Sequence, residues 1–214
     1  MKIYILYTEL LIFFYKMIKM NKYLTIILIS FLITFTSKAQ DITDFQIEGI
    51  SIGDTLLNFL SKNEIQKKSY IPENSSMEKS NYRQVTFGKK LKLNSEYDEI
   101  IIVYDKMNNY KIGSVSGRII YKNNINDCYS KMDEISIEIS NVTNLPISKK
   151  RKSKYRGDKT GESYKTTIAV TDKIGNLINI TCYDFSNKMR YPDTMSIAIA
   201  SKNYFEWNRK KAFR

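Results

Sequence analysis

Histidine is absent from the 214 residues of this chain. Without an imidazole there is no Ser-His-Asp arrangement to activate a nucleophile, no side chain that titrates near neutrality by default, and no nitrogen ligand for zinc. Cysteine occurs twice, at Cys128 and Cys182, too few for a four-thiolate metal site or an iron–sulfur cluster. Proline occurs three times and glycine eight. No phosphate-cradling G-x-x-x-x-G-K-[ST] or G-x-G-x-x-G is present, and no acidic cluster has calcium-loop spacing. A glycosidase needs two carboxylates facing across a cleft, and the spacing of the 22 acidic residues selects no such pair. No metal ligand, catalytic residue or cofactor is therefore assigned.

Long apolar runs are also lacking. Ile3 to Ile18 is broken by Glu9 and Lys16, and Leu24 to Phe35 is short. Neither reaches the roughly 20 residues of a membrane-spanning helix. The second run has a different character. Met20-Asn21-Lys22 gives it a basic start, and Ser37-Lys38-Ala39 places small residues where a signal peptidase cuts. The expected organisation is an N-terminal extension plus signal peptide over residues 1–39 and a single exported α+β domain over residues 40–214, periplasmic or extracellular. Translation is expected to start at Met20; the competing reading is an uncleaved anchor. Otherwise membrane contact is transient, during export. No cysteine sits at the cleavage site, so a lipoprotein is not expected.

Formal net charge is +12, and five Lys and one Glu lie in residues 1–40, leaving +8 on the rest. Such a balance favours anionic partners, although Lys, Ile, Asn and Tyr are abundant throughout. Downstream, Asp54 is a candidate N-cap for a helix from Thr55 towards Gln66 with Leu56, Leu57 and Leu60 on one stripe. Arg83–Phe87, Glu99–Tyr104 and Lys111–Tyr121 read as strands, the second as a continuous β-branched run buried on both faces. A second helix carries Ile125, Cys128, Met132, Ile135, Ile139 and Val142 at spacings of three and four, and Asn144 and Pro146 stop it. Tyr164–Val170, Leu177–Phe185 and Thr194–Phe205 complete a second set of strands. In Leu177–Phe185, Ile178, Ile180 and Cys182 share one face, while Asn179, Thr181 and Tyr183 share the other. The expected fold is α+β: an antiparallel sheet with two helices packed on one face, a possible tandem α-β-β-β repeat.

Three features invite chemistry. Cys128 lies on the apolar stripe of the second helix and Cys182 on the apolar face of a strand, so a disulfide would tie helix to sheet. A redox pair would instead ask for C-x-x-C spacing, which is absent. Gly49-Ile50-Ser51-Ile52-Gly53 matches G-x-S-x-G, but a nucleophile elbow grows from a buried strand and needs a base. Too few residues precede Ser51 for that strand, and no S-x-x-K starts there, so Ser51 is read as part of a turn. Lys149, Lys150, Arg151, Lys152, Lys154 and Arg156 form a basic segment, read as a loop, with Tyr155 inside it. This is the candidate contact for an anionic partner, against the plainer reading of a solvated linker between the halves; nucleic acid is not expected outside the cell. The C-terminal Asn208–Arg214 would add to it if it folds nearby.

The opening "DITDFQIEGISIGDTLLNFLSKNEI" resembles that of a group of uncharacterised small exported bacterial proteins. They share a G-I-S-I-G-D-[ST]-L-L lead-in, tyrosine-rich strands and a helix carrying one cysteine. That resemblance implies export and this fold, without an activity. More loosely, the helix-then-sheet layout is similar to the β-lactamase inhibitory protein-like and outer-membrane assembly lipoprotein-like folds, which implies binding of other proteins rather than catalysis. The functional expectation is a non-enzymatic binding module for a protein or cell-envelope component. The alternatives are a histidine-independent hydrolase or a binder of anionic polymer or lipid surface through the basic segment.

Overall fold

A computed structural model describes residues 41–72, 76–88, 95–122 and 124–211; the expected signal peptide lies outside them. Strands β1 (Tyr82–Gly88), β2 (Glu99–Asp105) and β3 (Lys111–Ile120) come first, followed after a long helix by β4 (Arg151–Lys154), β5 (Tyr164–Thr171), β6 (Leu177–Asp184) and β7 (Thr194–Ala200). They make one seven-stranded sheet in the order β1-β2-β3-β7-β6-β5-β4, antiparallel at every pair. Strands adjacent in sequence pair antiparallel within β1–β3 and within β4–β7, so each run is a meander. The last strands of the two meanders, β3 and β7, meet at the centre. Helices α1 (Lys62–Lys68), α2 (Ile125–Thr143) and α3 (Lys202–Lys211) pack against the sheet.

One face of the sheet carries the core. Alternation sends Val85, Ile100, Ile102, Val115, Ile168, Ile178, Ile180, Cys182, Met195 and Ile199 to it, all buried. Across from them lie Ile42, Ile47, Ile50, Ile52 and Leu56 of the lead-in, Ile65 of α1, and Cys128, Met132 and Ile139 of α2. Cys128 and Cys182 are bonded, with Cα atoms 6.0 Å apart and a sequence separation of 54. This is the predicted link between helix and sheet. The stripe on α2 differs at its end: Ser136 and Thr143 face the core while Val142 is 40% exposed. A step of four from Ile139 at 3.6 residues per turn reaches 143, not 142. Thr143 satisfies its buried hydroxyl by donating to the Ile139 carbonyl at 2.7 Å.

The lead-in departs from expectation. Glu48 and Gly49 both have positive φ (55° and 81°), the signature of a tight two-residue hairpin turn, and it closes an Ile47–Ile50 bridge. Gly53 N–H then donates to the Ile112 carbonyl and Ile112 N–H to the Asp54 carbonyl. Those bonds tie Asp54 to β3, and Thr55, not Asp54, caps the turn that follows, its hydroxyl accepting from Leu57 N–H. The Asp54 carboxylate accepts from Ser51 N–H at 3.0 Å instead. Leu56–Asn58 is only a 3₁₀ turn, and α1 begins after Ser61, whose side chain and that of Glu64 form a reciprocal capping box.

The end of the chain departs as well. β7 stops at Ala200, and Ser201–Phe205 does not extend it. Ser201 accepts from Tyr204 N–H through its hydroxyl and from Phe205 N–H through its carbonyl, and Asn176 Oδ1 accepts from Lys202 N–H. Three backbone donors at the start of α3 are thereby satisfied, which is what a helix N-terminus requires.

Candidate functional site

The second face of the sheet is where the fold leaves room. Along the strands it presents Gln84 and Thr86, then Ile101 and Val103, then Ser114 and Ser116, then Ser196 and Ala198, then Asn179 and Thr181. The side chains on the central strands β3 and β7 are small, so they floor a trough instead of filling it. Helix α3 walls one end, with Tyr204 and Trp207 packed on Tyr82 of β1 at centroid distances of 5.2 and 4.8 Å. Gly113 permits this approach: a Cβ there would lie 3.1 Å from the Tyr204 Cβ. Gly113 is also the extra residue of a bulge, since Val103 pairs with Ser114 but Tyr104 with Ile112. The resulting groove has a volume of about 560 Å³ and is lined by residues that include Tyr70, Gln84, Ile101, Ser114, Ser116, Arg118, Asn179, Tyr183, Ala198, Tyr204 and Asn208.

The far end is aromatic too. Tyr183 and Phe185 stack with 7° between their planes, Tyr155 meets both edge-on, and Tyr191, 59% exposed, meets Phe185. Between the two aromatic ends, Arg118 Nη1 lies 2.8 Å from Glu99 Oε2. Burial pushes the Tyr204 phenol up to about 12, with Tyr82 adding to it. Burial also raises Tyr183, while the Arg118 charge opposes that shift. Both phenols are neutral donors at physiological pH. The groove therefore offers aromatic faces, amides, hydroxyls and one half-exposed ion pair. That set can hold a ligand by stacking and hydrogen bonding.

The basic residues lie at the edge beyond β5. Arg151–Lys154 is a strand, β4, rather than a loop. Lys150 Nζ reaches Asp133 of α2 at 2.7 Å, and Lys152 Nζ lies 4.7 Å from the Tyr164 ring centroid. Lys149, Arg151, Lys154 and Arg156 are exposed. Its sequence carries no strand signal because it has no apolar residue: pairing with β5 alone makes it a strand. After it, residues 155–163 are organised by buried Asp158. Its carboxylate accepts from the N–H and hydroxyl of both Thr160 and Ser163 and from the Ser186 hydroxyl. These bonds hold the Asp158 carboxyl far below the usual carboxylate range. Residues Asn208–Lys211 sit on α3 near β1 and β3, away from β4, so the structure does not join them to the basic segment; residues 212–214 lie outside the described residues.

Ser51 is 6% exposed, and its hydroxyl donates to the Phe45 carbonyl at 2.8 Å. It serves the turn. Among the described residues no group of three or more His, Cys, Asp or Glu could hold a metal ion, and no helix is long and apolar enough to cross a membrane. Sequence reading had found the polar face of β6 but not the groove. The groove exists because α3 closes one end, and the first turn of α3, Lys202–Phe205, falls in the segment whose sequence predicts a continuation of β7. Comparison with protein-family models, with curated proteins and with solved structures gives no match.

Proposed function

We propose that this protein is an exported, non-enzymatic binding module that receives a protein or another cell-envelope component on the open face of its sheet. The groove between the two aromatic ends carries this reading. Its floor is backbone held by ladders on both sides and its far face is fixed by a disulfide-tied helix. A partner therefore meets a preformed surface and loses little free energy to ordering it. Tyr at both ends, Trp207 at one of them and an Arg at the rim are of the residue types that dominate binding energy at interfaces.

A photo-crosslinking residue placed at Ala198, on the groove floor, tests it against the same residue at Ile137, which is 56% exposed on α2. Crosslinks to one discrete envelope component from position 198 alone, abolished by adding Ser116→Trp, are expected. Equal labelling from both positions, or labelling that survives the blocked groove, would remove the reading.

A further inference from the structure

The outer edge of β4 pairs with nothing among the described residues. Which of its backbone groups face outward follows from one bond. Tyr155 N–H donates to the Ser163 carbonyl at 2.9 Å, in the same register as Arg151↔Thr167 and Ser153↔Lys165. In an antiparallel pair, hydrogen-bonded and non-hydrogen-bonded positions alternate. Arg151 and Ser153 therefore turn their N–H and C=O groups towards β5, as Tyr155 does its N–H, and Lys152 and Lys154 turn theirs away from the sheet. The side chains alternate the other way, with Arg151 on the open face and Lys152 and Lys154 on the core-face side. Positive charge thus flanks the edge on both faces.

This arrangement discriminates between anionic ligands. A flat surface or a polymer lying on one face would meet only the charges of that face. A chain running along the edge, in the plane of the sheet, meets Arg151 on one side, Lys152 and Lys154 on the other, and the outward backbone groups of both lysines together. Lysine on a free edge also opposes pairing of two copies of this strand, so the same charge that blocks self-pairing admits an acidic strand. We infer that β4 is a strand-addition site for an extended acidic segment of a partner protein, independent of the open-face groove. Main-chain bonds would supply register and the flanking cations the selection for acidic side chains.

The test uses the purified protein, a short synthetic peptide alternating Glu and Val, the same peptide N-methylated at alternate residues, and a heparin fragment. Fluorescence anisotropy should show binding of the parent peptide that weakens with salt. One of the two N-methylation phases should weaken it by roughly tenfold, because two hydrogen bonds are lost at little change in charge. Lys152→Pro removes an outward N–H without touching the ladder to β5. It should lose the peptide as methylation does, while its retention on heparin should match that of Lys152→Gln. If both methylated peptides bind as well as the parent, or if heparin binds and the peptide does not, the edge is an electrostatic patch and the inference is overturned. The peptide arm decides the matter even if Lys152→Pro fails to fold.

Discussion

Ser51 and Asp158 show how differently two polar side chains serve the same protein. Ser51 sits in a sequence pattern associated with catalysis, yet its hydroxyl is consumed by the Phe45 carbonyl inside the turn. Ser51→Ala removes the donor to that half-buried acceptor and should cost about 1 kcal/mol in urea unfolding; an unchanged midpoint would mean that water replaces the hydroxyl. Asp158 sits in no motif, but five bonds converge on its carboxylate. Its pKa in the folded state is depressed. The folded chain therefore resists protonation there more than the unfolded chain does. The stabilisation is fully present above the unfolded Asp value of about 4 and drains away as pH falls towards the folded value. Asp158→Asn should lower thermal stability at neutral pH and make the decline between about pH 4 and pH 2 shallower than in the parent. Parallel acid declines in the two proteins would show that other carboxylates govern acid unfolding. Residue spacing announces neither role, because each depends on how its own loop folds back on itself, and for Asp158 also on Ser186 from another loop.

At the level of elements, legibility followed periodicity. α2, β6 and β7 repeat apolar residues at their own periods, and that alone places Cys128 and Cys182 on facing layers, where the bond forms. β4 and α3 have no such pattern. β4 is RKSK, a strand only through its neighbour, and the aromatic residues of α3 carry a strand propensity that the Ser201 cap overrides. The candidate site inherits this division: its floor was visible in the alternation Asn179, Thr181, Tyr183, whereas its end wall was not. The disulfide closes a long loop, and removing it through a Cys128→Ala, Cys182→Ala double variant should cost about 2–4 kcal/mol, mainly by freeing the unfolded chain. Urea unfolding of parent and variant measures it. A loss confined to reducing agent and absent in the double variant would point to the thiols' own reactivity instead of the link.

Across the whole molecule, the order β1-β2-β3-β7-β6-β5-β4 puts the ends of both meanders at the centre and their beginnings at the rims. Strands β3, β7 and β6 are each paired on both sides, and β6 and β7 also lie under α2, which the disulfide fixes to β6. β4 has one partner and no buried apolar residue. Local opening draws on the elements with least burial, whereas doubly paired strands under a helix open only with the whole domain. Hydrogen exchange should therefore rank the sheet from its centre outward. Amides of Met195, Ile197 and Ile180 should exchange only through global unfolding and track its free energy across urea. The inward amides of Arg151 and Ser153 should exchange by local opening, insensitive to low urea. An acidic strand paired with β4 would lower that local exchange without altering the centre, whereas a ligand in the groove would slow residues around Ser116 and Ala198. The two sites thus leave separable footprints on one sheet. Protection of β4 as deep as that of β7 in the free protein would mean that its outer edge is already covered.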